Sequence, residues 1–376
     1  MNECMDECLL TFQPFSPPEA DSAIQSFTHS TNQSFSHWLY RFFLSLIFFC
    51  INISFTHAQV YPDSNVHSML QSGIENIILQ DYDKANQIFS RLEKEHNEIP
   101  LGKIYLAAVE IAKAYDYAQP FNSDLIKKKL EEAEEQSIEL LETDDNNIWN
   151  IYFLALSRGY MAYYYALKGD WLSSLSSGVN SVNGFEKCIQ LNPEFYEGYT
   201  AIGTYKYWKS RKTEFLNWLP FIKDEKQEGI EYLKKAVIHS SYNIYLAINS
   251  LLWIYIDNGE FDQAVKSSLE ALKKYPGCRF FKYGLARAYE EIDLNSSIEC
   301  YYEILNSYPK TNNSNRYNEI VLKHLIAQQY AKMGEKQKAL GLCNDILNIQ
   351  ELSDYVKEKL GNRLNRVRAL QKELFE

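Results

Sequence analysis

The sequence predicts an all-α fold, a solenoid of about seven helix pairs ended by a C-terminal capping helix. Three observations predict it. One spacing of apolar and small residues recurs four times in the same frame. The chain is poor in helix breakers, with 15 Gly and 10 Pro among 376 residues, and rich in Tyr, with 28. No stretch alternates with a period of two, so no sheet is expected.

The unit is plainest at Ile248-x2-Leu251-Leu252-x2-Tyr255-x8-Ala264-x3-Ser268-x2-Ala271-x4-Pro276. It returns as Phe281-x2-Gly284-Leu285-x2-Ala288-x8-Ser297-x3-Tyr301-x2-Ile304-x4-Pro309, and again over Lys323 to Ile346. Met69-x2-Ser72-Gly73-x2-Asn76-x8-Ala85-x3-Phe89-x2-Leu92 shares the frame. Large residues three and four apart make one apolar stripe per helix. The small residue after the turn (Ala85, Ala264, Ser297, Ala339) lets the second helix approach the first. Gly259 and Gly334 suit a left-handed helix stop, the acids after them suit the next N-terminus, and Pro276 and Pro309 cannot continue a helix.

Two central units are stretched. Between Tyr165 and Ser181 lie fifteen residues where the pattern has eight, which predicts a long second helix over 170–191. The next unit starts Tyr199-x2-Ile202-Gly203-x2-Lys206 and resumes only at Gly229, so an insert is expected at 210–224. Phe215, Leu216, Trp218, Leu219, Phe221 and Ile222 make it too apolar for a plain surface loop. Residues 101–143 read as a helix pair that fits the repeat poorly. Residues 352–372 read as one capping helix with Val356, Leu360, Leu364, Val367 and Leu370 on a single face, as solenoid ends require.

The spacing resembles the tetratricopeptide repeat (TPR) over residues 62–350. That resemblance implies helix pairs stacked into a right-handed superhelix whose concave groove binds a peptide or partner protein. By analogy with such grooves, the first-helix residues Tyr163, Tyr207, Trp208, Trp253, Lys282, Tyr289, His324 and Gln328 are candidate contacts, with Arg279 and Lys282 as candidate carboxylate-gripping cations. Phe215, Trp218 and Phe221 are candidate insert contacts. Residues 215–237, FLNWLPFIKDEKQEGIEYLKKAV, are similar to part of a eukaryotic mitochondrial outer-membrane TPR family involved in inclusion-body clearance. The glycine-phenylalanine-glycine stretch of that family is absent, and no function is carried over.

Upstream of the solenoid, expected over 59–376, the chain reads as an address. Arg41, the apolar run at 42–55 and Thr56-His57-Ala58 have the layout of a secretory signal over 37–58 cleaved after Ala58. The alternative is a membrane anchor, although a span needs ~20 apolar residues. Residues 1–36 read as a disordered leader or a mis-assigned start. Loss of residues 1–58 removes five acids and one base and takes the net charge from −11 to −7. Lys and Arg are scattered, which argues against a nucleic-acid partner.

No HExxH, phosphate loop, dinucleotide fingerprint or nucleophile elbow occurs. His67, His96, His239 and His324 are not spaced as a metal pair. Neither a cofactor nor an enzyme activity is expected. The sequence reads as an exported scaffold for a protein or peptide. The alternative is a carrier of an apolar ligand or lipid through residues 210–222, and a less favoured one is an enzyme that uses the solenoid as its frame; peripheral membrane association is a further partner expectation. Cys188 and Cys343 are expected as small buried hydrophobes.

Overall fold

The computed structural model describes residues 59–216, 223–308, 316–350 and 352–376. The expected leader (1–36) and signal (37–58), and Trp218 and Phe221 of the insert, lie outside the described residues. Among the described residues seven antiparallel helix pairs follow in chain order. They are α1 (Ser64–Ile78) with α2 (Tyr82–Glu95), α3 (Leu101–Asp116) with α4 (Ser123–Thr143), and α5 (Ile148–Leu167) with α6 (Trp171–Leu191). Then come α7 (Tyr199–Lys212) with α8 (Lys226–His239), α9 (Ile244–Asp257) with α10 (Phe261–Lys274), α11 (Arg279–Tyr289) with α12 (Leu294–Ser307), and α13 (Tyr317–Lys332) with α14 (Lys336–Leu347). No strand occurs among the described residues. The architecture is the TPR-like α-solenoid.

The repeat frame is the packing frame. Ala85, Ala264, Ser297 and Ala339 are fully buried, as are Phe89, Leu252, Tyr301 and Ile326. Gly203 of α7 and Gly229 of α8 lie against each other so closely that a Cβ at either would fall 2.6 Å from the other's carbonyl oxygen. The turns inside the pairs also follow the sequence. Gly169, Gly259 and Gly334 have φ near 75° (76, 74 and 76), the left-handed conformation that spares only glycine a steric penalty. Asp81, Asp170 and Asp293 then cap the next helix by accepting backbone N–H bonds in its first turn.

The structure corrects one element. The expected single capping helix is two, α15 (Asp354–Leu360) and α16 (Arg363–Phe375). Gly361, at φ 47°, breaks the helix, and the apolar stripe survives the break: Val356, Leu360 and Val367 are buried. The insert also begins differently. Helix α7 runs to Lys212 and a 3-10 turn over Glu214–Leu216 follows. Among the described residues no helix is long and apolar enough to cross a membrane. Cys188, Cys278 and Cys343 are buried free thiols and Cys300 is half-buried.

The core has two main parts. One joins α1 to α7, from Val66 to Ile202, and takes in Tyr242 from the loop before α9. The other joins α11 to α16 and takes in Ala118, from the α3–α4 turn, far back in the chain. That one alanine shows that early and late repeats touch.

Candidate functional site

The first-helix residues proposed for a groove divide into two groups. Tyr207, Trp253, Arg279 and His324 are buried. Tyr207 donates to the Asp257 carboxylate at 2.5 Å. His324 lies 3.3 Å from a guanidinium nitrogen of Arg363, and burial together with the charges of Arg363 and Arg366 pushes its pKa down to about 3. Tyr163, Trp208, Lys282, Tyr289 and Gln328 are half-buried, and Lys282 pairs with Glu303 at 2.5 Å. The proposed cations do not act together: Lys282 faces its own repeat, while Arg279 faces the start of the solenoid. Phe215 is exposed, at 73%.

Arg279 is the centre of a clasp that joins the two ends of the array. Its guanidinium donates through Nε to Asp116 Oδ1 at 2.8 Å and through Nη2 to Asp116 Oδ2. Asp116, the last residue of α3, also accepts from Tyr82 at 2.9 Å, and its backbone carbonyl accepts from Tyr308 at 3.1 Å and Asn318 at 2.9 Å. The guanidinium lies over the rings of Tyr308 and Tyr117, 4.6 and 5.5 Å from their centroids. Burial alone would lower the Arg279 pKa, but the hydrogen bond and charge of Asp116 outweigh it and the net shift is upward.

Two strained turns serve this contact. Gln80 (φ 63°) and Ala118 (φ 50°) are the only described non-glycine residues at positive φ. Gln80 accepts the Arg279 backbone N–H through its side-chain oxygen at 3.3 Å, and Ala118 enters the late core. A left-handed non-glycine residue costs about 1–2 kcal/mol, so both persist because the clasp holds them. Further along, Tyr275 donates to Glu75 at 3.1 Å, and the Tyr242 hydroxyl accepts the Tyr61 N–H at 3.0 Å.

A second buried carboxylate fixes the loop before α9. Glu197 accepts from Ser241 N–H at 2.5 Å, Ser240 Oγ at 2.8 Å, Tyr242 N–H at 3.1 Å and Asn243 Nδ2 at 2.8 Å. Burial outweighs these bonds and raises its pKa. Both carboxylate oxygens are engaged by these donors, which makes Glu197 an anchor for the loop.

An open cleft of about 260 Å³ lies between α4, α5 and α6. Leu141, Ile151, Leu154 and Ala155 line it with apolar surface, and Arg158, Asn180, Asn183 and Lys187 supply polar groups. Arg158 donates through Nε to Glu134 at 2.8 Å, and Lys187 reaches the Asp145 carbonyl at 3.3 Å. Sequence reading passed over this cleft, because Asn180 and Asn183 look like ordinary solvated helix positions; the signal was two amides and a lysine on one stripe of an over-long helix. Among the described residues no group of His, Cys, Asp or Glu is placed to hold a metal ion.

No protein-family model matches the chain, and no curated protein matches it significantly. Several solved structures are similar in fold. PilW, a widely conserved type IV pilus biogenesis factor, is 15% identical with a TM-score of 0.44, over 68% of this chain and 98% of that one. The human IFIT1 dimer with PPP-AAAA is 16% identical with a TM-score of 0.42, over 85% and 79%. The C-terminal part of a TPR repeat-containing protein from Cytophaga hutchinsonii is 16% identical with a TM-score of 0.39, over 77% and 99%. These are likenesses of helix-pair architecture.

Proposed function

We propose that the chain is an exported scaffold that holds a protein or peptide partner. The observation that carries this reading is the α4–α5–α6 cleft, an apolar floor rimmed by two amides, Lys187 and the Glu134-paired Arg158. Such a surface suits a peptide: side chains fill the floor, and the Asn amides pair with backbone N–H and C=O groups. The half-buried first-helix residues Tyr163, Trp208, Lys282, Tyr289 and Gln328 offer a second contact face. The signal-like layout of residues 37–58 supports export.

Affinity capture from the envelope fraction tests the reading. Wild type is expected to retain a partner that Asn180→Ala/Asn183→Ala/Lys187→Ala loses, and Trp208→Ala/Lys282→Ala reports on the second face. Recovery of no partner, or of the same partners by all three proteins, would overturn it.

A second reading, a carrier of an apolar ligand through the insert, is favoured by the exposure of Phe215. It requires a co-purified apolar molecule whose amount falls in Phe215→Ser.

A further inference from the structure

Two of the departures from the repeat, the long α6 and the insert, meet at one rim of the solenoid, the rim where first helices turn into second helices. Helix α6, like α4, has 21 residues, against 14 in α2, α8, α10 and α12. The first turns of this long helix carry Trp171, Leu172 and Leu175, which are 48%, 85% and 60% exposed. Residues three and four apart share a helix face, so the three make one stripe. The insert arrives beside them: Lys212, at the end of α7, places its ammonium 4.8 Å from the centre of the Trp171 ring. Phe215 follows three residues later in the exposed turn.

The charges at this rim are as unusual as its apolar residues. Lys168 lies over the Tyr164 ring at 5.9 Å and Lys127 over the Tyr165 ring at 5.6 Å. Lys168 Nζ donates to Ser123 Oγ at 3.4 Å, Lys127 interacts electrostatically with Asp170, and Lys212 lies against the Trp171 ring. The nearby Asp170 is occupied as the cap of α6, held ionised by hydrogen bonds from Ser173 and then by the charge of Lys127. In a chain of net charge −11, three lysines gather around an exposed Trp and two exposed Leu, with Asp170 and Glu214 as the carboxylates beside them.

We propose that this rim docks the protein on an anionic lipid bilayer. The surface is complementary to that medium in both respects. Leu172, Leu175 and Phe215 enter the acyl boundary, the Trp171 ring sits at the headgroup level, and the three lysines meet lipid phosphates. These side chains project from a helix start and a turn rather than lining a groove, and a bilayer needs no matching shape. The described start of the chain stays clear of the rim. Gln59 and Tyr61 are bonded to Asn192 and Tyr242, in loops at the opposite ends of the helices. The docking surface is independent of the peptide cleft, so partner capture and lipid docking fail separately.

Bromolipid quenching of Trp171 tests the proposal on the full chain, taken as the difference between wild type and Trp171→Phe. Both proteins carry the same other tryptophans, so their emission cancels in the difference. Trp171 emission should be quenched by phosphatidylcholine vesicles containing phosphatidylglycerol and not by phosphatidylcholine alone. Each lysine near an anionic surface contributes a factor of about five, so Lys127→Ala/Lys168→Ala/Lys212→Ala should weaken the quenching interaction about 100-fold. Leu172→Glu/Leu175→Glu should abolish it with an unchanged melting temperature. Absence of Trp171 quenching on anionic vesicles overturns the proposal, as does quenching that the lysine variant leaves intact. A fall in melting temperature in the Leu172/Leu175 variant also overturns it, by showing that the chain covers its own stripe. So does a wild-type dimer that this variant dissociates, since the occupant would then be a second copy.

Discussion

Replacing Arg279 by Met should show how much of the solenoid's stability lies in its clasp. Asp116 is 5% exposed and Arg279 is 6% exposed. The variant keeps the apolar length of the side chain and removes the charge. Asp116 is then left as a buried carboxylate whose main side-chain donor is the Tyr82 hydroxyl at 2.9 Å. Breaking a buried pair in this way costs about 3–5 kcal/mol. The guanidinium contacts with Tyr308 and Tyr117 add about 0.5–2 kcal/mol, which puts the expected loss near 5 kcal/mol. Asp116→Leu/Arg279→Met removes both charges and should recover much of that loss, because no ion is stranded. Urea unfolding at neutral pH gives the four free energies of the cycle, and small-angle scattering tells whether the two ends part. A loss below about 1 kcal/mol for Arg279→Met would refute the reasoning, since that is the cost of an exposed pair. Additive losses in the double variant would refute it equally.

Three further outcomes follow from single residues. His324 is neutral in the fold and titrates near 6.5 when unfolded. The unfolded chain therefore binds the extra proton, and stability present above about pH 6.5 is lost as pH falls toward about 3. The loss is roughly 2 kcal/mol by about pH 5, and His324→Gln should flatten the slope of stability against pH in that window. Gly203→Ala should destabilise by about 1–3 kcal/mol through overpacking against the Gly229 carbonyl. Gly341→Ala in α14, with nothing within 4 Å of its added Cβ, should stabilise by about 0.5–1 kcal/mol. N-terminal sequencing of envelope material should read from Gln59; a cytosolic product beginning at Met1 would end the export reading.

The helix pairs were legible because each obeys a local rule. Residues three and four apart fix the stripes, and Gly169, Gly259 and Gly334 fix the turns. The length of α6, expected over 170–191 and found as Trp171–Leu191, followed from counting seven extra residues as two turns. The break at Gly361 was hidden because Val356, Leu360, Leu364 and Val367 keep their stripe across it. The candidate groove was less legible. First-helix position alone placed Arg279 and His324 on a binding face. Their partners are remote in sequence: Asp116 lies 163 residues from Arg279, and Arg363 lies 39 residues from His324. Periodicity carries no information about contacts at that range.

One signal of the closure was nevertheless present in the sequence. Four of the pair turns share a frame, as Gln80-Asp81, Gly169-Asp170, Gly259-Glu260 and Gly334-Glu335. Three place glycine where the backbone must be left-handed, and the first places glutamine. A residue that accepts this strain needs a reason that glycine could not satisfy, and Gln80 has one: its side-chain oxygen receives the Arg279 N–H from the sixth helix pair. The same logic applies to Ala118, whose methyl group fills the late core. Gln80→Gly thus separates two contributions. It relieves the left-handed strain, worth about 1–2 kcal/mol, and removes one half-buried acceptor, which strands the Arg279 N–H at about 1–3 kcal/mol. If the array were an open solenoid, only the relief would remain and Gln80→Gly would stabilise. In the closed array the two terms oppose, so the variant should be neutral or destabilised, and in an Arg279→Met background, where the clasp is already broken, it should turn stabilising.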